Sequence, residues 1–460
     1  MMNVPLSNAP IGYYADDFTG ASANLLEFHR RGFRGLLFVN TPSRAQIDAH
    51  LPGLDVIGIA GVSRSLAPAE MAGEVRPALE LLRDLGCPVV QYKICSTFDS
   101  SPDRGNFGTV LELARELYGS QAVAVLAAHP AFGRYTAFAN HFAEYEDNVH
   151  RLDRHPSMSR HPATPMHEAD LRLHLAQQTA WPISSCDFRA LRTGDVSRWL
   201  QGQTARAVVF DAIEPQDLER VAAGVWQAAA TVASARDERR VFTLSSHGFA
   251  AGLADHLAAG RPTPAARPQG AVDQLLVLSG SCAPRTAAQI AHAKCQGWAA
   301  IPLEVGDLGT QALPVIAADI AARACEQLAR GHSVVVYSAA GPQDEAIAQG
   351  REVFERVGGE SSAVIGSLYG DVLRRVTAHV RLPRLVLAGG DTSSQTMRTL
   401  GIEALSIDAV NTASQEPFLR MHAGPHSASR AFDGTQVLLK AGQNGPEDYF
   451  TAAQRGDGWA

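Results

Sequence analysis

The stretch Ala15–Gly20, Ala-Asp-Asp-Phe-Thr-Gly, lies between an apolar run at Ile11–Tyr14 and a segment with apolar residues at helical spacing. A second apolar run follows at Leu36–Val39. The pattern predicts a strand, a loop, a helix and a second strand. Open α/β sheets bind ligands at the carboxyl ends of their strands, so Asp16 and Asp17 are candidate site residues. Both could instead simply cap the helix.

Adjacent side chains of a strand point to opposite faces, so we expect one of these two carboxylates to enter the site and the other to anchor the loop. The same alternation of strand and helix continues along the chain. We predict further strands at Val56–Ala60, Val89–Ile94, Val123–Ala127, Ala207–Asp211, Arg240–Leu244, Leu275–Leu278, Ser333–Tyr337, Arg384–Ala388 and Val437–Leu439.

A chain of 460 residues is too long for one ordinary core. The segment Gly260–Gln269 contains three prolines and no periodicity, and we interpret it as a linker. We therefore predict two α/β domains, residues 1–262 and 270–460, each a mostly parallel sheet flanked by helices, with an inter-domain cleft.

The composition excludes several classes of partner. The net charge is −7 and no basic run is present, so we expect no nucleic-acid partner. No segment reaches the ~20 apolar residues of a membrane span, and no signal peptide is evident. The six cysteines form no CxxC and predict reduced thiols. We expect a cytoplasmic protein without a membrane partner; the oligomeric state stays open, with a homodimer as one option.

Arginine makes up 37 of the 40 basic residues, which indicates a coding preference that replaces lysine wherever arginine will serve. The three lysines that remain are Lys93, Lys294 and Lys440. A lysine that persists can mark a position that needs a compact ammonium against phosphate or carboxylate, although chance survival is the alternative. Lys93 and Lys440 both fall in loops whose other residues also indicate a binding site.

Polar loops follow the strands of the N-terminal half. Arg64 lies just past Val56–Ala60, where a guanidinium suits an oxyanion, although a surface arginine is the simpler interpretation. Lys93 leads into Cys95–Ser101, whose hydroxyls predict a polar cradle for a small polyol or acid; helix capping would need only one of them. Residues 147–167 are rich in histidine, but the spacing of five or six matches no usual metal site, so we predict a structured excursion over the sheet edge.

Three Gly-rich loops follow strands of the C-terminal half: Ser279–Pro284, Gly389–Ser394 and Lys440–Gly445. Small residues let backbone N–H groups approach an anion at a helix N-terminus, so the three loops together indicate a nucleotide site. Asp391 could hold Mg²⁺ through water. None of the loops matches a P-loop or the G-x-G-x-x-G dinucleotide motif.

At these residues the chain resembles the four-carbon acid sugar kinase family, over nearly its whole length and in order. The matching positions are Ala15–Gly20, Ser63-Arg64, Lys93–Phe98, Pro130–Arg134, Ser279–Ser281 with Thr286 and Gln289, Gly389–Thr392, and Lys440 with Gly442 and Gly445. The chain departs from the family at Cys95 and His161, where an aspartate is usual, and at the extra residues Asp99–Asp103.

The resemblance implies an ATP- and Mg²⁺-dependent kinase that phosphorylates a terminal hydroxyl of a short sugar acid or oxo sugar acid. Asp17 or Asp16 would accept the hydroxyl proton, and Arg64, Lys93, Ser96, Thr97 and Arg134 would bind the acid. ATP would be bound by Ser279, Gly280, Ser281, Gly389, Gly390, Asp391, Thr392, Lys440, Gly442 and Gly445, with the metal at Asp391. A non-catalytic sugar-acid-binding regulator and a dinucleotide-dependent oxidoreductase are the alternatives.

Overall fold

The computed structural model of the protein describes residues 9–50, 52–119, 122–161, 163–234, 240–357, 361–413, 416–424 and 430–460. The chain divides into two compact units, Met1–Pro264 and Ala265–Ala460. None of the described helices is long and apolar enough to cross a membrane. All six cysteines are free thiols.

The first unit is built on an eight-stranded sheet. Its strands are β1 (Ile11–Ala15), β2 (Gly35–Phe38), β3 (Val56–Ala60), β4 (Val89–Lys93), β5 (Val123–Leu126), β9 (Ile183–Cys186), β10 (Ala207–Phe210) and β11 (Val241–Ser245), with a separate trio, β6 (Arg134–Ala137), β7 (Asn140–Tyr145) and β8 (Asn148–Arg151). The large sheet is parallel throughout, in the order β2-β3-β1-β4-β11-β5-β10-β9.

Helices cover this sheet, which explains why its strands are apolar runs rather than alternating ones. They are α1 (Phe18–His29), α2 (Arg44–His50), α3 (Pro68–Asp84), α4 (Phe107–Tyr118), α5 (Leu171–Ala176), α6 (Phe188–Thr193), α7 (Val196–Gln201), α8 (Pro215–Ser234) and α9 (His247–Leu257). Every residue of β1, β3, β4 and β11 is buried.

The strand register fixes which loops become neighbours. Ala15 pairs with Ala60 on one side and with Lys93 on the other. Ser245 pairs with Lys93 and with Leu126. The carboxyl ends of β3, β1, β4, β11 and β5 therefore form one continuous edge, and the loops that follow them lie side by side.

Residues 147–161 and 163–167 of the histidine-rich segment are structured, as predicted. They contain β8, the last strand of the antiparallel trio β6-β7-β8, and two short 3-10 turns. Ring nitrogens of His155 and His161 accept from backbone N–H groups of Ser157 and Thr164. In the described ranges, no three His, Cys, Asp or Glu side chains converge as a metal site would require. These two histidines stabilise local turns.

The second unit contains a seven-stranded mixed sheet. Its strands are β12 (Leu276–Ser279), β13 (Ala299–Pro302), β14 (Val334–Tyr337), β15 (Arg384–Ala388), β16 (Ala404–Val410), β17 (Pro417–His422) and β18 (Gln436–Lys440); its helices are α10 (Pro284–Cys295), α11 (Leu313–Ala329), α12 (Glu345–Val357), α13 (Ser361–Thr377), α14 (Gly390–Leu400) and α15 (Tyr449–Arg455). The order is β13-β14-β12-β15-β18-β17-β16, and β17 runs antiparallel to both neighbours. The prediction of α/β units with mostly parallel sheets is confirmed.

Candidate active site

Two aspartates, an arginine and a lysine meet at the carboxyl edge of β1, β3 and β4. Arg64 Nη2 lies 2.8 Å from Asp16 Oδ1 and 2.8 Å from Asp17 Oδ1. Lys93, the last residue of β4, places its Nζ 3.3 Å from the same Asp17 oxygen. The three segments that carry these side chains are adjacent in the sheet, which is why residues up to 77 positions apart converge.

Both aspartates contact Arg64, and β1 ends at Ala15, so the alternation of strand side chains does not extend to them. The expectation that one carboxylate enters the site and the other anchors the loop stays a prediction. Asp17 also caps α1, because its Oδ2 accepts from the Gly20 N–H at 3.0 Å. The capping and site interpretations of Asp17 are therefore compatible.

The pKa values of the two carboxyl groups are shifted in opposite directions. The Asp16 side chain is 1% exposed, and burial raises its pKa to about 6 despite the nearby Arg64 and Lys93. The Asp17 side chain is 20% exposed. Burial alone would raise the pKa of Asp17, but Arg64 and Lys93 outweigh it and hold that pKa well below its usual range. Adjacent groups with separated pKa values suit acid–base chemistry.

The loop has room only for glycine at position 20. A Cβ atom at Gly20 would lie 1.5 Å from Lys93 Nζ and 2.3 Å from Asp17 Oδ1. The absent side chain therefore leaves the space in which the ammonium reaches the carboxylate. The run from Asp17 to Gly20 thus combines a helix cap with the binding position of a buried cation.

A series of polar side-chain contacts extends from Arg64 along the loop after β4. Cys95 Sγ lies 2.9 Å from Thr97 Oγ1, and Thr97 donates to Asp99 Oδ1 at 2.6 Å. Asp99 Oδ2 lies 3.8 Å from Arg64 Nη1. Burial raises the pKa of the Cys95 thiol to about 11, so it is neutral at physiological pH. Asp99 is a site neighbour that sequence reasoning missed, because it stands among the residues that depart from the family pattern.

Two buried histidines support this loop. His141 Nε2 lies 2.7 Å from the Ser96 carbonyl oxygen, and its Nδ1 lies 2.9 Å from Thr136 Oγ1. His174 Nε2 lies 2.9 Å from Ser100 Oγ. Burial lowers the pKa of each imidazole to about 4. Ser96 is therefore held through its backbone, which leaves its half-buried side chain available to a ligand.

Arg134 is the first residue of β6, and its Nη1 donates to the carbonyls of Phe132 and Gly133 in the preceding turn at 3.0 and 3.1 Å. Its buried Nε has no hydrogen-bond partner among the described residues. The structure thus gives Arg134 a turn-stabilising role and leaves one donor unused. A direct role in ligand binding stays a prediction.

The three Gly-rich loops of the second unit converge at the carboxyl ends of β12, β15 and β18. A Cβ atom at Gly280 would lie 2.3 Å from Thr392 Oγ1, and one at Gly442 would lie 2.7 Å from Ser281 Oγ. Gly389 has φ +117°, a conformation that side chains disfavour, and its Cβ position is 3.2 Å from the Ser281 nitrogen. Backbone approaches backbone here, as a phosphate cradle requires.

Two hydroxyls in these loops are unpaired. Ser279 Oγ and Ser393 Oγ are buried without a hydrogen-bond partner in the part of the chain that the structure describes. Gly390 and Asp391 begin α14 and are exposed. The loops thus place unused donors beside a helix N-terminus, an arrangement that favours anions.

Lys440 and Gly445 are placed differently from the other predicted nucleotide residues. Lys440 is 1% exposed, and its Nζ lies 3.1 Å from Thr286 Oγ1, 2.8 Å from the Ala441 oxygen and 3.1 Å from the Gly442 oxygen. Burial lowers its pKa to about 8. All three ammonium hydrogens thus have partners within the loops. Gly445 faces the Tyr449 ring, and Gln289 binds its carbonyl.

Comparison with known proteins identifies the family. Residues 11–253 match the sugar-binding N-terminal domain model and residues 276–450 match the nucleotide-binding C-terminal domain model. Together these are the two halves of one kinase family. The chain belongs to the four-carbon acid sugar kinase family.

Two relatives illustrate this membership of the four-carbon acid sugar kinase family. A 3-oxo-isoapionate kinase from Paraburkholderia graminis is 36% identical over 458 residues, covering 97% of this chain and 94% of the relative. A 3-oxo-tetronate kinase from Pseudomonas fluorescens is 30% identical over 457 residues, covering 96% of each chain. A solved structure from Salmonella typhimurium LT2 shares the fold, with a TM-score of 0.75, 24% identity and coverage of 97% of this chain and 99% of its own.

Proposed function

We propose that the protein is an ATP-dependent kinase that transfers the γ-phosphoryl group to a terminal hydroxyl of a short sugar acid or oxo sugar acid, four-carbon or related. The single observation that carries the proposal is the cluster of Asp16, Asp17, Arg64 and Lys93, found in a chain whose full-length relatives phosphorylate oxo sugar acids. Residues 1–262 would bind the acid and residues 270–460 the nucleotide.

Asp17 is the better candidate for the proton acceptor. Its side chain is the more exposed of the two, whereas Asp16 is almost fully buried and is held by two nitrogens of Arg64. The acceptor of a kinase orients the attacking hydroxyl and receives its proton as the transfer proceeds. Asp16 would act as a positioning residue that holds Arg64 in place, although the two aspartates exchange roles if Asp17 proves dispensable.

Arg64 and Lys93 would bind the carboxylate of the acid. Arg64 already pairs with both aspartates and Lys93 pairs with Asp17, so a substrate carboxylate would draw part of the field of these cations away from Asp17. The pKa of Asp17 would then rise toward that of a useful base, which couples substrate binding to base strength. Ser96, Thr97 and Arg134 would contribute hydrogen bonds to the remaining oxygens.

The loops of the second unit would bind ATP through their backbone. The predicted cradle comprises Ser279, Gly280, Ser281, Gly389, Gly390, Thr392 and Gly442, supported by the close approaches at Gly280, Gly389 and Gly442. Lys440 would act as a positioning residue, since its ammonium joins Thr286 to the carbonyls of the following loop. Gly445 would permit the turn at which Gln289 holds that loop.

Mg²⁺ is the metal expected with ATP, and the residues present fit it. Asp391 offers a carboxylate in the first turn of α14, and the unpaired hydroxyls of Ser279 and Ser393 lie in the same set of loops. Mg²⁺ prefers oxygen ligands and is usually held by one or two carboxylates, water and the phosphates themselves. When bound, the metal would neutralise the charge that develops on the phosphates.

A coupled assay of ADP formation, run against four- and five-carbon sugar acids and their oxo forms, tests the proposal. We expect ADP formation that depends on one of these acids and is lost in Asp17→Asn. Calorimetric ATP binding without turnover on any acid would contradict the substrate class. No ATP binding would contradict the kinase, and turnover of NAD(P)H instead would support an oxidoreductase.

A further inference from the structure

Two histidines lie at the same sheet edge as the aspartate–lysine cluster. His247 is the first residue of α9, two positions after Ser245, and His129 follows β5 by three positions. Ser245 is the register partner of both Lys93 and Leu126. The strand that precedes His247, β11, therefore lies between the strand that carries Lys93 and the strand that precedes His129.

The two imidazoles and one phenyl ring form a compact aromatic cluster. The ring centroids of His129 and His247 are 4.4 Å apart, and Phe132 lies 4.5 Å from the first and 4.9 Å from the second in edge-to-face contact. Phe132 is 43% exposed. The cluster thus has a rigid buried part and an accessible rim, which is the form of a binding-site wall.

The hydrogen bonds of the described residues do not account for the buried His129. His129 is 4% exposed, and neither of its ring nitrogens has a hydrogen-bond partner within the described ranges. Its Nε2 lies 3.8 Å from Glu27 Oε1, too far for a hydrogen bond. A buried polar group without a partner costs stability, and such groups occur where function requires them.

His247 is influenced by the charges of the candidate active site. Burial lowers its pKa well below the usual range; His129, Lys93 and Arg134 lower it further, and Asp17 opposes them. The ring is therefore neutral at physiological pH. A neutral imidazole has one N–H donor and one acceptor nitrogen, so it can bind either a hydroxyl or an oxo oxygen.

We propose that His247 is a substrate-binding residue of the sugar-acid site, where its imidazole hydrogen-bonds a hydroxyl or oxo oxygen of the acid, and that His129 and Phe132 position that ring. This inference rests on the proposed function. Its geometric basis is the strand register beside Lys93 together with the close packing of the two buried imidazoles and the Phe132 ring. His247 would then determine specificity among acids that differ at one oxygen.

The ring nitrogens of His247 can be removed while the ring is kept. His247→Phe retains an aromatic side chain against His129, and His247→Gln retains a donor and an acceptor without the ring. His256→Phe, near the other end of α9, is the matched control. We expect His247→Phe to raise KM for the accepted acid at least tenfold, with ATP affinity and Tm unchanged, His247→Gln to recover part of the loss, and His256→Phe to match wild type.

The positioning role of His129 has a separate readout. His129→Ala removes the ring that packs against His247 and should raise KM for the acid with a smaller effect on kcat, whereas His129→Phe keeps a ring there and should recover part of that loss. An unchanged kcat/KM for every acid in soluble, ATP-binding His247→Phe overturns the inference. If His247→Phe does not fold, the same result in His247→Gln and His247→Asn overturns it.

Failure of the inference is distinguishable from failure of the proposed function. If the wild type binds ATP but turns over no acid, the substrate class of the proposed function fails on that result alone. Calorimetry of the same sugar acids with wild type and His247→Phe then tests the inference by itself. Weaker acid binding in the variant supports it, and equal binding, or no binding of any acid to the wild type, overturns it.

Discussion

The guanidinium of Arg64 binds both carboxylate oxygens of Asp16, with Nη2 2.8 Å from Oδ1 and Nε 3.2 Å from Oδ2. Planar two-point binding of this kind requires arginine, since an ammonium cannot reproduce its geometry. The same nitrogen that binds Asp16 Oδ1 also binds Asp17. One side chain therefore sets the relative position of both aspartates.

Replacing Arg64 by lysine tests this arrangement. We expect Arg64→Lys to lower kcat/KM by about 100-fold or more, because the two-point contact and the bridge to Asp17 are lost together. Steady-state ADP formation measures the effect. Arg76→Lys is the matched control, since Arg76 binds Glu116 on the exposed surface of the same unit. Equal losses in both variants would contradict a specific role for Arg64.

Asp17 is expected to be essential for turnover but dispensable for folding. Asp17→Asn keeps a good helix cap for α1 and removes the carboxylate, so we expect a 10²–10⁴-fold fall in kcat at unchanged Tm and ATP affinity, about the range of general base catalysis. Asp187→Asn, at the cap of α6, is the control for capping alone. A near wild-type kcat in Asp17→Asn would instead assign the role of general base to Asp16.

The raised pKa of Asp16 predicts an acid limit to activity. Above about pH 6 the carboxyl group is ionised and pairs with Arg64, and below that pH it takes up a proton and the pair weakens. Asp17, whose pKa lies well below the usual range, stays ionised throughout. We expect kcat/KM to fall as pH drops through about 6. Asp16→Asn should lack this inflection in its residual activity, and an identical inflection there would refute the assignment.

Acid should also destabilise the first unit through its buried histidines. The folded pKa of His141 is about 4, below the usual value of 6.5, so the unfolded chain binds the proton first as pH falls. Stability is therefore complete above pH 6.5 and decreases toward pH 4, by about 1.4 kcal/mol per pH unit for this group. We expect His141→Gln to show a shallower acid decrease in Tm than His332→Gln, an exposed control. Equal decreases of Tm with falling pH in the two variants would argue against a buried, neutral His141.

The proposed role of the Gly-rich loops in ATP binding can be tested by adding a methyl group to one of them. Gly280→Ala places a methyl group 2.3 Å from Thr392 Oγ1, so one loop must move away from the other. We expect ATP affinity, measured by calorimetry, to fall at least tenfold while binding of the sugar acid is kept. Gly306→Ala is the control, because nothing lies within 4 Å of its Cβ position. Unchanged ATP affinity in Gly280→Ala would show that this contact does not shape the site.

Local sequence pattern was sufficient for the apolar strands and the loops that follow them. Val56–Ala60 and Arg384–Ala388 were predicted with the bounds observed, because each is an apolar run between polar turns. The strands that were missed include β7, β16 and β17, in which polar residues interrupt the apolar ones, so no continuous apolar run marks them. Pairing with a neighbour stabilises them, and pairing is not visible in local sequence.

Because local sequence does not show which strands pair, only some of the site residues could be predicted. Asp16, Asp17, Arg64 and Lys93 stand at predicted strand ends, and the structure brings these four together. His247 was not recognised, because its position depends on β11 lying between β4 and β5, although more than 100 residues separate β5 from β11 in the chain. Strand order comes from long-range packing, so loops that are distant in sequence became neighbours without a local signal.

The scarcity of lysine has a practical consequence for covalent labelling. Lys93 and Lys440 are at most 2% exposed, whereas Lys294 lies on the surface of α10. An amine-acylating reagent at limiting dose should therefore modify one side chain, Lys294, apart from the chain terminus. A fluorophore or a surface tether can be attached there without mutagenesis. Slow acylation of Lys93, followed by peptide mass spectrometry, would then report how often the aspartate loop opens to solvent.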